Sequence, residues 1–385
     1  MEAVISAAAA PAVKQPSVVL TKAPASKILA TLMSVAGIIE RRHTLPILAN
    51  VLVSKRGGTL EFTGTDLDLQ MRASAEVGHG DSEVTTTVNA RKLVDILKAM
   101  PGEQSITLTL NGEKLTLTGG KSRFTVQTMP ASDFPLVVQS KDTTAHIEIE
   151  QKVLAGLIAQ VQYAMGVSDT RYYLNGLLLE TDGNTVRVVA TDGNRLAMSQ
   201  ADLGAPVAKS SVIIPRKAVL ELARLLNDDS GPADIAVTSN QATFRFNGIE
   251  FTTKLVEGKF PDYRRVIPAN HKNKVTFERA MLLKALQRAQ LMSSEKFKGV
   301  ELNFSSETLE LRAVNGDQEE AQEELGIDYA GDALRMGFNV RYLIDALENL
   351  VHDTVAFAMA DSSASVLITD PSEPELRVVV MPMRL

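Results

Sequence analysis

The sequence predicts an α+β protein of three tandem copies, each setting helices on one face against mainly antiparallel sheet on the other, and three observations predict it. The first is a helical segment written three times. VNARKLVDIL (Val88 to Leu97), IPRKAVLELA (Ile214 to Ala223) and NVRYLIDALE (Asn339 to Glu348) share an arginine at Arg91, Arg216 and Arg341, and 216 − 91 and 341 − 216 both give 125. The second is a turn after a hydrophobic strand, GTDLDLQM, ATDGNRLAM and AVNGDQEEA, which sets Asp66, Asp192 and Asn315 in step with those helices. The third is length: 385 residues hold three units of domain size, each able to bury its own core. The period is several times that of solenoid or propeller repeats.

Within a copy the elements follow in a fixed order. Each copy opens on an amphipathic stretch, Lys27 to Ile38, Gln151 to Met165 and Glu278 to Leu291, with apolar residues at helical spacing. A strand pair follows in NVLVSKRGGTLEFTGTD, NGLLLETDGNTVRVVATD and KGVELNFSSETLELRAVN, where alternation flanks a Gly, Asn or Ser turn as in a hairpin. The arginine-bearing second helix comes next, and a further alternating set closes the copy. Helix, strands, helix, strands segregates helices to one face. Linkers fall where alternation fails, Pro135 to Thr143 and Pro261 to Lys274, so the domains are expected at 18–140, 141–267 and 268–385. The leading 1–17 read as a disordered extension, since MEAVISAAAAPAVKQP lacks the basic start and continuous apolar core of a secretory signal. The last copy is expected to end on an apolar strand that ties Leu385 into structure.

Composition narrows the chemistry. No run approaches the roughly 20 apolar residues of a membrane span. Zero cysteines remove disulfides, thiolate nucleophiles and cysteine metal sites together, and are compatible with a reducing cytoplasm. His43, His79, His146, His271 and His352 show no metal-ligand spacing and do not recur between copies. Asp66 and Asp68 form a D-x-D pair, but the third copy has Asn315 at the matching place, so turn capping is favoured over metal binding. No phosphate-cradling glycine loop is present. No catalytic residue, metal or cofactor is implied.

The charges point elsewhere. The second helices carry Arg91, Lys92 and Lys98, then Arg216, Lys217 and Arg224, then Arg341; the first helices add Lys27, Lys152, Arg279, Lys284 and Arg288. Exposed helix faces are usually charged, which explains part of this. A basic helical surface on a protein of net charge −6 also suits a phosphate backbone bound without regard to sequence, and Arg91, Lys217 and Arg224 are the candidates on the second helices. Acid-rich DQEEAQEE in the last copy has a complement in the first, where GEKLTLTGGKSRFTV offers Lys114, Lys121 and Arg123. Complementary ends permit head-to-tail closure of a ring, although solvated loop charge reads equally well.

RRHTLPILAN, RYYLNG, ATDGNRLA, IPRKAVLEL, FPDYRRVIP, SSEKFKGVEL, GFNVRYLIDAL and VVMPMRL together resemble the bacterial DNA polymerase III beta subunit, the replicative sliding clamp, over Val18 to Leu385. The resemblance implies a non-catalytic homodimeric ring around double-stranded DNA that tethers the polymerase catalytic subunit, the clamp loader and other proteins carrying clamp-binding peptides. It implies a peptide cleft of Leu174, Thr191, Gly193, Arg195, Leu196, Pro261, Arg265 and Val266, completed by Ser365, Val379, Met381, Pro382, Met383, Arg384 and Leu385. Asn194 stands where relatives often have histidine, and Ser363 where an apolar residue is common; both bear on peptide preference. For DNA the resemblance points to Arg42, Tyr172 and Tyr173. For the ring joint it points to Phe124 and Val126 against Leu291 and Met292, with Lys114, Lys121 and Arg123 facing Glu319, Glu320 and Glu323. The rival readings are a monomeric peptide-binding scaffold and, more remote, a metal-dependent hydrolase using Asp66 and Asp192.

Overall fold

The computed structural model describes residues 17–40, 44–138, 142–226, 231–268, 271–293 and 298–384. The leading segment and Arg42, His43 and Leu385 lie outside them. In the first copy the elements are β1 (Val18–Pro24), α1 (Ala25–Ala36), β2 (Asn50–Arg56), β3 (Thr59–Thr65), β4 (Leu69–Ala75), β5 (Val84–Asn89), α2 (Ala90–Ala99), β6 (Ser105–Asn111), β7 (Lys114–Gly119) and β8 (Ser122–Met129). The second has β9 (Ala145–Glu150), α3 (Gln151–Val161), β10 (Gly176–Thr191), β11 (Arg195–Pro215), α4 (Arg216–Leu225), β12 (Pro232–Val237), β13 (Gln241–Phe246) and β14 (Ile249–Lys254). The third has β15 (Asn273–Glu278), α5 (Arg279–Gln290), β16 (Gly299–Ser305), β17 (Thr308–Val314), β18 (Glu320–Gly326), β19 (Leu334–Asn339), α6 (Val340–Glu348), β20 (Thr354–Met359), β21 (Val366–Asp370) and β22 (Glu373–Val380).

Three sequence expectations need correction, and the first is that NGLLLETDGNTVRVVATD forms no hairpin but one long strand, β10, with register shifts around Gly183. Each copy opens on a strand, not a helix: β1, β9 and β15 pair antiparallel with β6, β12 and β20, the first strand after each second helix. Each runs into its helix without a turn. The chain also does not end on a strand, because β22 stops at Val380 and residues 381–384 are irregular.

Contacts divide the chain into two compact units. The first holds the residues up to Val138 together with Asn247–Thr252, and its strands follow the order β1-β6-β7-β8-β5-β2-β3-β4. Helix α1 buries Ile28, Leu32 and Val35, and α2 buries Leu93, Val94 and Leu97. Spacings of three and four place each set on one helical face. Asn89 starts α2, its Oδ1 accepting from the Lys92 amide at 3.0 Å.

The second unit contains a six-stranded sheet, β10-β11-β22-β21-β20-β15, and a four-stranded one, β18-β17-β16-β19, while β12 lies between β9 and β13. Helix α6 buries Leu343, Ile344 and Leu347, each contributing roughly 1.5–3 kcal/mol by leaving water. Asn339 caps it as Asn89 caps α2, accepting from the Arg341 amide at 3.0 Å. No helix among the described residues is long and apolar enough to cross a membrane.

Candidate partner cleft and nucleic-acid interface

The cleft begins with a turn. Asp192 Oδ1 accepts from the amides of Asn194 (2.9 Å) and Arg195 (3.1 Å), while Thr191 Oγ1 accepts from Gly193 and donates to the Arg195 carbonyl. The first copy repeats this: Asp66 Oδ1 accepts from Asp68 and Leu69, with Thr65 in the role of Thr191. Asn315 does the same in the third copy for Asp317 and Glu319. The recurring Asp/Asn is thus a turn cap, which is why an amide can replace the carboxylate.

Arg195, at the turn's end, does not project into solvent. Its side chain is 11% exposed, with Nε 3.1 Å from Asp192 Oδ2, Nη1 2.5 Å from Asp345 Oδ2 and Nη2 donating to the Tyr163 carbonyl at 2.7 Å. The guanidinium also lies over the Tyr163 and Tyr342 rings, 5.3 and 4.6 Å from their centroids. Burial pushes the Tyr163 phenol up, and burial and then Asp192 push Tyr342 up. Each of its three guanidinium nitrogens has a partner, and these contacts bind the turn to α6.

Of the other cleft candidates, Leu174, Leu196 and Val379 are buried, Val266 is 41% and Met381 46% exposed, and Pro261 and Arg265 are exposed. Ser365, Pro382 and Met383 are half-buried, and Arg384 is exposed. The tail is held by its backbone: the Met381 amide donates to the Asn194 carbonyl at 2.9 Å and the Met383 amide to Gly337 at 2.8 Å. The segment FPDYRRVIP crosses the sheet with Phe260 and Tyr263 buried in a cluster with Leu178, Leu196, Ile213 and Val379. Glu180 fastens it, accepting from Tyr263 Oη and Arg264 Nη2, both at 2.7 Å, and from Arg187 Nη1 at 3.1 Å. Burial alone would raise the Glu180 carboxyl, but these donors outweigh it and hold it below the usual range. Tyr263 is pushed up to about 12, by burial first and by Glu180 second. These candidates thus combine buried apolar side chains with exposed Met381, Arg265 and Arg384.

Of the DNA candidates, Tyr172 is 57% exposed and meets Tyr173 edge to face, centroids 5.9 Å apart. The loop carrying them is set by Arg171, which forks onto Asp169 at 3.0 and 2.8 Å and donates to the Asp192 carbonyl. Those hydrogen bonds lower the Asp169 carboxyl to about 2. Arg91 is exposed and 3.7 Å from Asp95, Lys217 is exposed, and Arg224 is held by Glu221 at 2.6 Å. In the third copy the helix arginines are engaged too: Arg279 donates to the carbonyls of His352 and Leu347 at the end of α6, and Arg341 pairs with Asp345 and Glu348. The sequence shows basic helices; the structure shows much of that charge locally balanced.

For the ring joint, Phe124 (37%), Leu291 (79%) and Met292 (38%) are exposed, and so are Lys114, Lys121 and Arg123, while Val126 is half-buried. The opposing acids have partners in their own chain: Glu319 with Asn315, Glu320 with Arg312 at 2.9 Å and Glu323 with Arg288 at 2.5 Å. Arg312 and Arg288 accordingly hold the Glu320 and Glu323 carboxyls below their usual range.

Sequence reasoning missed Asp345, Tyr163, Tyr342 and the Asp169–Arg171 fork. Only the last had a signal, the D-x-R spacing before the tyrosines. It also missed that His352, Asp370 and Glu373 bring ligand atoms within 4.8 Å of one another. Protein donors already occupy that cluster: His352 Nδ1 lies 2.9 Å from Asp370 Oδ2, the Ser372 amide donates to Asp370, and Gln160 donates to Glu373.

Three copies of one α+β fold, capped turns in register and a C-terminal tail bonded to the capped turn of the second copy define the DNA-clamp class. Profiles of the DNA polymerase III beta subunit match its N-terminal domain at residues 24–138, its central domain at 148–262 and its C-terminal domain at 264–384. The beta sliding clamp of Pseudomonas putida is 41% identical over 361 residues, covering 93% of this chain and 98% of that protein; that of Escherichia coli K12 is 41% identical over 360, with the same coverage. The crystal structure of the Pseudomonas aeruginosa sliding clamp bound to griselimycin superposes with a TM-score of 0.92 at 41% identity, covering 95% of this chain and all of the other. A Caulobacter crescentus clamp gives 0.91 at 32% identity over 96% of this chain and all of that one. The chain belongs to the DNA polymerase III beta subunit family, and as such is a non-catalytic processivity factor that works with DNA and the replicative polymerase.

Proposed function

We propose that two copies of this chain close head to tail into a cytoplasmic ring that encircles duplex DNA, with domain limits at 18–140, 141–267 and 268–385. The cleft over Leu174, Leu196 and Val379 receives peptides of the polymerase, the clamp loader and other clamp-binding proteins. DNA is met by Arg42, Tyr172, Tyr173, Arg91, Lys217 and Arg224, through contacts indifferent to sequence, which permit sliding.

The observation that carries this reading is a pair of bare sheet edges. Strand β8 pairs with β7, and with β5 only at Thr128 and Met129; β18 pairs only with β17 among the described residues. One edge carries Lys121, Arg123 and exposed Phe124; the other carries Glu320 and Glu323 beside exposed Leu291. Bare edges invite pairing, and two unlike edges on one chain pair heterologously and close a ring.

Loading onto circular and linearised DNA tests it. Protein retained on circles at moderate salt and lost once the circle is cut is the expected result. Retention on neither form would favour the scaffold, and turnover that requires divalent metal would favour the hydrolase. Griselimycin, bound in the Pseudomonas aeruginosa clamp structure, is the labelled ligand, and loss of its binding on deletion of Met381 to Leu385 would assign it to the cleft.

A further inference from the structure

The outer face of the six-stranded sheet continues past the cleft. Register carries one row of side chains over every strand: Thr191 opposite Leu196, Leu196 opposite Val379, Val379 opposite Leu367, Leu367 opposite Ala358, and Ala358 opposite Lys274. Directly opposed residues of antiparallel strands share a face. The first three belong to the cleft. The last three line a groove of about 920 Å³, walled by Pro268 and Pro371, that none of the cleft residues covers.

The groove has a definite chemistry. The outward positions of β20 that line it are Ala356 and Ala358, followed by Ala360, so its floor is low and an extended backbone can approach the sheet. Leu367, half-buried, packs onto the cleft cluster from the groove side and joins the two surfaces. At the far wall stand His271, Lys272 and Lys274. Lys274 is exposed and Lys272 is bonded to Asp332 at 2.5 Å. Both ring nitrogens of His271 are shielded from solvent and meet no hydrogen-bonding partner among the described residues. Solvent does not reach those nitrogens, so exposed Lys274 is the cation that a ligand entering the groove meets.

We infer that this groove receives the chain flanking a cleft-bound partner peptide, and that it selects a flank with an acidic side chain among small or apolar ones. The inference rests on the cleft reading above and extends it from a pocket to an elongated site whose second half reads charge. A carboxylate over Lys274 makes a charge-assisted hydrogen bond, while the alanine floor admits the backbone between.

The test uses the full chain. A leucine- and phenylalanine-rich hexapeptide is selected for displacing labelled griselimycin, then synthesised alone and with Ala-Asp-Ala-Glu added at either end, and affinities are measured by fluorescence anisotropy. One of the two extensions is expected to tighten binding about tenfold, the effect of one charge-assisted contact. Lys274→Glu, at an exposed position, and Ala358→Leu, which fills the floor, should each remove that gain and leave the hexapeptide unchanged. If neither extension gains affinity, the inference falls and the cleft stands. If Lys274→Glu weakens short and extended peptides alike, the lysine acts on the cleft and the groove assignment is overturned. If no hexapeptide displaces griselimycin, the cleft reading fails and takes this inference with it.

Discussion

Arg195 and Asp345 stand 150 positions apart in sequence and meet with Nη1 2.5 Å from Oδ2, both side chains nearly buried. The pair joins the capped turn of the second copy to α6 of the third. Breaking a buried pair leaves an uncompensated charge, and here the penalty is softened because Asp345 also holds Arg341 at 2.6 Å. Arg195→Ala is therefore expected to cost about 3 kcal/mol of unfolding free energy. Arg195→Lys should recover less than half of it, since an ammonium cannot span Asp192, Asp345 and the Tyr163 carbonyl or stack between two rings. Urea denaturation of the full chain measures this; a loss for Arg195→Ala below about 1 kcal/mol would place the pair among ordinary solvated ion pairs.

Gly193 and Leu67 occupy matching turn positions with φ of 90° and 81°. Because leucine accepts this backbone in the first copy, φ alone does not explain glycine in the second. The added constraint is Arg171: a Cβ at Gly193 would lie 2.9 Å from its guanidinium nitrogens. Gly193→Ala is expected to destabilise by about 1–3 kcal/mol. In an Arg171→Ala background the steric part of that cost should vanish and the share due to the positive φ remain, and equal costs in both backgrounds would show that backbone strain alone decides.

These two relationships mark the limit of what the sequence discloses. The triplication was legible because Arg91, Arg216 and Arg341 sit at the starts of α2, α4 and α6, where a helix boundary fixes spacing. The caps at Asp66, Asp192 and Asn315 were legible because turn chemistry is local. The opening strands were not: β9 and β15 alternate buried and exposed residues, yet each passes into a helix at Glu150 and Glu278 with no glycine or asparagine between, so the only break is a change of period. In the second copy, β10 and β11 are long strands whose register shifts near Gly183, and the Asp182, Gly183 and Asn184 there read as a hairpin turn that conceals the continuity. Resemblance places Arg195 in the cleft, while its pairing with Asp345, 150 positions away, has no signature in the sequence.

His352 contributes stability that depends on pH. Its hydrogen bond to the buried Asp370 raises it above the ordinary value of 6.5, with Asp370, Glu373 and Asp353 adding attraction. A folded value above the unfolded one means the contribution is complete below pH 6.5 and disappears as pH rises through the raised folded value. NMR titration should find His352 above 6.5 and should find Asp370→Asn returning it toward that value. An unshifted histidine in the wild type would remove the basis for this pH dependence.

Deleting Met381 to Leu385 removes the amides that bond to Asn194 and Gly337, together with the exposed Met381 side chain. Polymerase and clamp-loader peptides should lose binding while the oligomeric state is retained, because the bare edges lie on β8 and β18. Unchanged peptide affinity by anisotropy would refute the cleft assignment.

Leu291 follows α5 with 79% of its surface in water, and α5 packs against the edge strand β18. A large aliphatic side chain so exposed gains only if something covers it, and covering it is worth up to roughly 1.5–3 kcal/mol per copy, with Phe124, 37% exposed, adding a smaller share. Leu291→Asp replaces that gain with the cost of desolvating a carboxylate and adds negative charge beside Glu320 and Glu323. Light scattering after size exclusion at micromolar concentration should give twice 41.6 kDa for the wild type and 41.6 kDa for Leu291→Asp. The acids of the edge are already paired with Arg288 and Arg312, so apolar contact, more than charge, must hold the joint. Dimerisation should then survive 0.5 M salt, a concentration at which the Debye length falls to about 4 Å, whereas a wild type that dissociates there would return the joint to electrostatics.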